Sequence, residues 1–134
     1  MTYGRSFVSA TPHAVELTGG LARAASSKLG RDIVALDVSR SLAIADVFLI
    51  VTAGNERQAG AIVDAIDLAA GLAGERVLRR EGEAEAKWIL LDLADVVVHV
   101  MSVEDRELYA LERIWKDAPR LDLDLDDLPN QVAA

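Results

Sequence analysis

The chain has 134 residues, 14 basic and 22 acidic, for a formal net charge of −8, and 51% of its residues are hydrophobic. That length fits one domain with a true core, and the acidity argues against a broad phosphate-neutralising face while leaving a basic protein as a well-steered partner. With no cysteine and only His13 and His99 as histidines, disulfides and thiolate chemistry are absent and a dedicated metal centre is not expected.

Met1 to Ala10 has one arginine and no apolar run, so it does not read as a secretory signal. No stretch reaches the ~18 apolar residues of a membrane span, and the expectation is a soluble, cytoplasmic protein. Thr11-Pro12 opens the first helix as N-cap and first helical residue. Leu17, Leu21, Ala24, Ala25 and Leu29 recur at helical spacing, and Gly30 is expected to supply a left-handed stop. Asp32 to Val38 reads as a strand. Asp46 to Thr52 reads as a second one, apolar on both faces and so central in a sheet. Asn55 as N-cap with Gln58 three residues on predicts a capping box. The helix that follows has Ala59, Ile62, Val63, Ile66, Ala69 and Ala70 on one face and ends around Gly71 to Gly74.

Three short strands are expected next, over Arg76 to Arg80, Ala86 to Leu91 and Asp95 to Met101. The last is apolar on both faces and so lies between layers. Tight connections at Gly82–Glu85 and Asp92–Asp95 suggest hairpins. Ser102 with Asp105 caps a final helix that presents Leu108, Leu111 and Trp115 along one side and stops at Pro119. From Arg120, Asp122, Asp124, Asp126 and Asp127 are interleaved with leucines in what reads as a mobile acidic arm, with light docking of its leucines as the alternative. The order predicts an α/β fold: a single domain with a mixed five-stranded sheet and helices packed on it, residues 1–118, followed by the tail 119–134.

Chemistry finds little foothold. The loop Ala53-Gly54-Asn55 lies between a buried strand and a helix start, where an anion can bind, but it lacks the signatures of a P-loop or a dinucleotide fold. Asp37, Asp46, Asp92 and Asp95 are carboxylates of the right type for Mg²⁺, yet none forms a strand-borne D-x-D pair beside that loop. Asp92 and Asp95 equally suit a hairpin turn. His99, alone in a valine-rich strand, reads as a hydrogen-bonded core residue before it reads as a base. Lys87, Trp88, Leu91, Asp92, Met101, Arg106 and Tyr109 form the remaining group, rich in the residue types of interface centres. Trp88 and Tyr109 as caps on the core at the sheet edge is an equal reading.

The run Asp46-Val-Phe-Leu-Ile-Val-Thr-Ala-Gly-Asn-Glu-Arg-Gln58 resembles a motif of the Iojap-related ribosomal silencing factors. So do Glu81-Gly82, Trp88-Ile-Leu-Leu-Asp92, Asp95-Val-Val-Val-His99, and the segment from Arg106 through Tyr109, Leu111, Glu112 and Trp115 to Asp117-Ala118. The resemblance spans about Thr11 to Ala118 with the motifs in order. It implies a fold similar to nucleotidyltransferases, a homodimer, no enzymatic activity and no cofactor. The partner it implies is the large ribosomal subunit, met through ribosomal protein number fourteen so that the small subunit cannot join and translation is repressed. Little direct nucleic-acid contact and no membrane are expected. Trp88, Asp92, Asp95, His99, Arg106 and Tyr109 match motif positions. Trp88, Leu91, Asp92 and Tyr109 are expected nearest the contact, Lys87 and Met101 at its rim. Ala53, Asn55, Ala94 and Met101 depart from residues common in the family, glycine being common at position 94. A nucleotide-binding protein or nucleotidyltransferase-like enzyme is the alternative.

Overall fold

The computed structural model describes residues 9–125. The N-terminal stretch before Ser9 and the end of the acidic tail, with Asp126 and Asp127, lie outside them. The elements run α1 (Pro12–Ser27), β1 (Arg31–Asp37), β2 (Val47–Ala53), α2 (Glu56–Leu72), β3 (Arg79–Glu81), β4 (Trp88–Asp92), β5 (Val96–Ser102), α3 (Val103–Tyr109) and α4 (Leu111–Ile114). The five strands form one mixed sheet in the order β1-β2-β5-β4-β3. Only β2 and β5 run parallel, with α2 in the connection between them.

Alternation along the strands divides the molecule into two layers. Leu49, Val51, Ile89, Leu91, Val96, Val98 and Val100 point to the face covered by α1 and α2 and form the main core with Leu21, Ile62 and Ile66. Leu36, Ile50 and Met101 point to the other face and pack with Val38, Ala45 and Leu111, with Phe48, Trp88, Val97 and Trp115 partly buried against them. The sheet is thus sandwiched fully on one side and only in part on the other.

The helix starts follow the sequence. The Thr11 hydroxyl accepts from Ala14 N and the Ser102 hydroxyl from Asp105 N. At α2 the Asn55 side chain accepts from Gln58 N at 2.8 Å. Gln58 reaches one residue further back than in a capping box: its Oε1 accepts from Gly54 N, and its Nε2 donates to Leu29 O at 3.2 Å. This one side chain therefore ties the start of α2 to the end of α1.

Four expectations are corrected. The left-handed residue after α1 is Leu29, φ 67°, not Gly30. Gly30 is needed for closeness, since a Cβ there would lie 2.7 Å from Val51 Cγ1 and 2.9 Å from Ala25 O. The strand placed at Arg76 to Arg80 is confined to Arg79–Glu81, because Glu75 N still closes the end of α2 on Ala70 O and pairing with β4 begins only at Leu78 N on Asp92 O. The last helix is two: Ala110 takes φ 44°, ψ 57° between α3 and α4. That break turns Leu111 into the core and leaves Leu108 73% exposed.

The fourth concerns the tail, where the described part follows the docked alternative rather than the mobile arm, as far as Leu125. Asp37 N donates to Pro119 O and Leu121 N to Ala35 O, making an antiparallel bridge between Arg120 and Leu36 on the free edge of β1. Leu121, Leu123 and Leu125 pack against the main core. Burial of alternate leucines outweighs the ordering cost of a strand-like strap and covers a sheet edge that would otherwise stay unpaired.

Candidate functional site

The half-open face of the sheet gathers the aromatic residues. Trp88 and His99 come from antiparallel neighbours β4 and β5, and the Trp88 indole N–H donates to His99 Nδ1 at 3.1 Å. Tyr109, at the end of α3, sits over Trp88 with ring centroids 4.7 Å apart. Phe48 of β2 meets His99 edge-on at 4.8 Å and Trp115 at 5.4 Å. Tyr109 is 45% exposed, while Trp88, Leu90 and Val97 on the same sheet face are half-buried. An aromatic and aliphatic patch backed by a rigid sheet is the usual build of an interface centre.

His99 is 5% exposed, and burial pushes its pKa down from 6.5 to about 4. The ring is therefore neutral at physiological pH.

Arg106 is not a free contact. Its Nε and Nη2 fork onto the Glu112 carboxylate at 3.1 and 2.7 Å, and its Nη1 donates to Thr52 Oγ1 at 2.8 Å. The hydrogen bond from Arg106 outweighs burial and holds the Glu112 carboxyl below its ordinary range. This bidentate pair clamps α3 and α4 to β2 across the left-handed corner at Ala110.

The residues singled out from sequence therefore separate. Trp88 and Tyr109 come together at the surface, with Lys87 exposed next to them. Met101 lies opposite Trp88 in the β4–β5 register but is 0% exposed. Leu91 is also 0% exposed, on the opposite face under α1 and α2. Three residues from Trp88 along a strand, Leu91 must point the other way. Neither Leu91 nor Met101 offers a contact surface in this conformation. Asp92 accepts from Ala94 N at 2.8 Å and fixes the β4–β5 turn, as suits an Asp flanking a hairpin. Phe48, Trp115, Glu112 and Thr52 were not among the expected site residues. Phe48 was within reach, because period-two alternation from β2 puts it on the same face as Ile50.

Of the other candidate carboxylates, Asp37 and Asp46 are engaged by the backbone, while Asp95 is exposed at the β4–β5 turn. Asp37 accepts from Ala10 N, Ser39 N and the Ser39 hydroxyl. Burial raises its pKa, but these bonds outweigh that and hold the carboxyl below its usual value. Asp46 accepts from Thr11 N. The anion-site loop is likewise occupied by the chain itself, with Gly54 N and Gln58 N both donating to side chains of the same turn. Among the described residues no group of three or more His, Asp or Glu is placed to hold a metal ion. No described helix is long and apolar enough to cross a membrane.

Comparison with known proteins gives a consistent result. The family model described as "Ribosomal silencing factor during starvation" matches residues 11–134. The chain belongs to the ribosomal silencing factor family. A relative from Bacillus subtilis named ribosomal silencing factor RsfS is 44% identical over 103 residues, covering 77% of this chain and 87% of that protein. The chloroplastic protein Iojap of Zea mays is 34% identical over 109 residues, or 79% of this chain and 46% of Iojap. Among solved structures, protein CV0518 of Chromobacterium violaceum matches with a TM-score of 0.73 at 30% identity, over 75% of this chain and 84% of that one. A Bacillus halodurans crystal structure matches with a TM-score of 0.70 at 34% identity, over 80% and 97%. The family match runs through the acidic tail, beyond the span of the sequence motifs.

Proposed function

We propose that this protein represses translation by seating a protein of the large ribosomal subunit, ribosomal protein number fourteen, on the Trp88–Tyr109 face. The small subunit is then sterically prevented from joining. The observation that carries the reading is the half-exposed aromatic pair on a sheet face that α3 and α4 leave partly open, in a chain of the ribosomal silencing family. The protein acts as a binding module without turnover, in the cytoplasm, and forms a homodimer. Its acidity suits a basic protein and disfavours rRNA. Asp37, Asp46 and Asp92 and the amides of Gly54 and Gln58 are already bonded within the fold, which counts against a nucleotidyltransferase.

Co-sedimentation with free large subunits tests the seat. Trp88→Ala and Tyr109→Ala are each expected to weaken association by about 1–2 kcal/mol or more, as anchors of an interface do. Tyr109→Ala is the cleaner variant, since Tyr109 contributes little to the core. Equal co-sedimentation of wild type and both variants contradicts the proposed surface.

A further inference from the structure

The two ring nitrogens of His99 are in unlike situations. Nδ1 accepts the Trp88 indole N–H, and indole nitrogen only donates, so the neutral ring must carry its hydrogen on Nε2. Nε2 is the buried side-chain polar atom that has no hydrogen-bond partner among the described residues. A buried donor left unpaired is costly, and natural folds rarely keep one without a use for it. The cost is carried here in the middle of β5, directly under the aromatic patch.

The aromatic stack beside this ring ends on a short helix. Tyr109 stacks on Trp88, and Trp88 holds His99. Tyr109 rides on the last turn of α3, past the Arg106 clamp to β2; α3 buries none of its residues and ends at the left-handed Ala110. Short elements with little buried surface are the first to open. Lifting the end of α3 moves Tyr109 away and leaves the Trp88–His99 pair in place, because that pair belongs to the sheet.

We infer that His99 is the polar anchor of the seat: docking swings Tyr109 off Trp88 and onto the partner protein, whose neutral main-chain carbonyl oxygen accepts the hydrogen bond from His99 Nε2. The inference rests on the reading that this face is where the ribosomal protein docks. A neutral acceptor matches a neutral donor in a dry site, and a carbonyl is available on any basic protein segment. An apolar surface without an acceptor would leave the donor unpaired, so the bond adds selectivity that apolar contact alone lacks.

The experiment measures binding of full-length wild type, His99→Phe and His99→Gln to purified large ribosomal subunits. Phenylalanine keeps the ring volume but removes both the Nε2 donor and the Nδ1 acceptor of the Trp88 indole; glutamine also lacks the Nδ1 position but places an amide N–H near that of Nε2. His99→Phe is expected to bind at least tenfold more weakly, and His99→Gln to stay within about threefold of wild type. Equal binding of His99→Phe and wild type overturns the inference, as does an equal loss in both variants. Failure of the wild type to bind overturns the functional reading itself, so the two failures are told apart. Nitrogen-15 NMR of the free wild-type imidazole gives a second readout that needs no variant of His99. The proton is expected on Nε2, exchanging with water at least tenfold faster in Tyr109→Ala. A proton on Nδ1, or exchange unchanged by Tyr109→Ala, overturns the inference.

Discussion

At the residue scale, His99 links packing to pH. Unfolded, it takes up a proton near its ordinary 6.5, whereas in the fold burial delays protonation to about 4. Between those values the unfolded chain binds a proton that the folded chain refuses, so stability falls as pH drops through that window and levels off below it. The span corresponds to a loss on the order of 3 kcal/mol. Asp37 and Glu112 act lower on the scale. Their depressed pKa values give stability that is fully present above the ordinary carboxylate values and lost only as pH falls below them. His99→Phe should therefore flatten the decline between about pH 6.5 and about pH 4 in urea-denaturation midpoints, while leaving the steeper acid loss. Parallel profiles for wild type and variant contradict the assignment.

At the scale of elements, the corners carry the strain. Ala94 turns β4 into β5 at φ 70°, and Ala110 separates α3 from α4 at φ 44°. A left-handed alanine costs roughly 1–2 kcal/mol that glycine largely avoids. Ala94→Gly and Ala110→Gly are each expected to raise unfolding stability by about 0.5–1 kcal/mol, read as a higher urea midpoint. Destabilisation by both contradicts the account. Gly82 is the converse case: at φ 87° a Cβ would collide with the Trp88 carbonyl oxygen, so this turn positions the strand that carries Trp88.

The same elements show what a sequence can reveal. Caps at Thr11, Asn55 and Ser102 were legible because a cap is a local hydrogen bond between residues three apart. The apolar faces of β5 were legible from alternation, and that rule also separates Leu91 from Trp88 although their shared motif suggests one surface. The break at Ala110 was not legible, since alanine favours helix and the break depends on the Arg106–Glu112 clamp to β2. The indole–imidazole bond was hidden too, because it depends on the antiparallel register that sets Trp88 opposite Met101 and two pairs away from His99, on the same face. The docked strap was half-visible: alternate leucines at 121, 123 and 125 have strand periodicity, but the β1 edge they cover is set by sheet order.

At the scale of the whole molecule, the sheet gives the two faces different work. One is closed by α1 and α2 over the main core, and the other keeps an aromatic patch at the surface. A net charge of −8 spread over such a body narrows where on a ribosome it can land, because rRNA phosphates repel it and a basic protein attracts it. Large-subunit affinity should therefore fall only gently with added salt. Release of counterions from several phosphates would instead give a steep linear fall of log affinity with log salt, and such a slope contradicts a protein-to-protein seat. The most direct measurement of the central claim is subunit joining followed by light scattering, with large subunits preincubated with this protein before small subunits are added. The account predicts a scattering rise that shrinks as the protein saturates the large subunits and is restored by Tyr109→Ala at the same concentration. Unimpaired joining at saturating wild-type protein would contradict it.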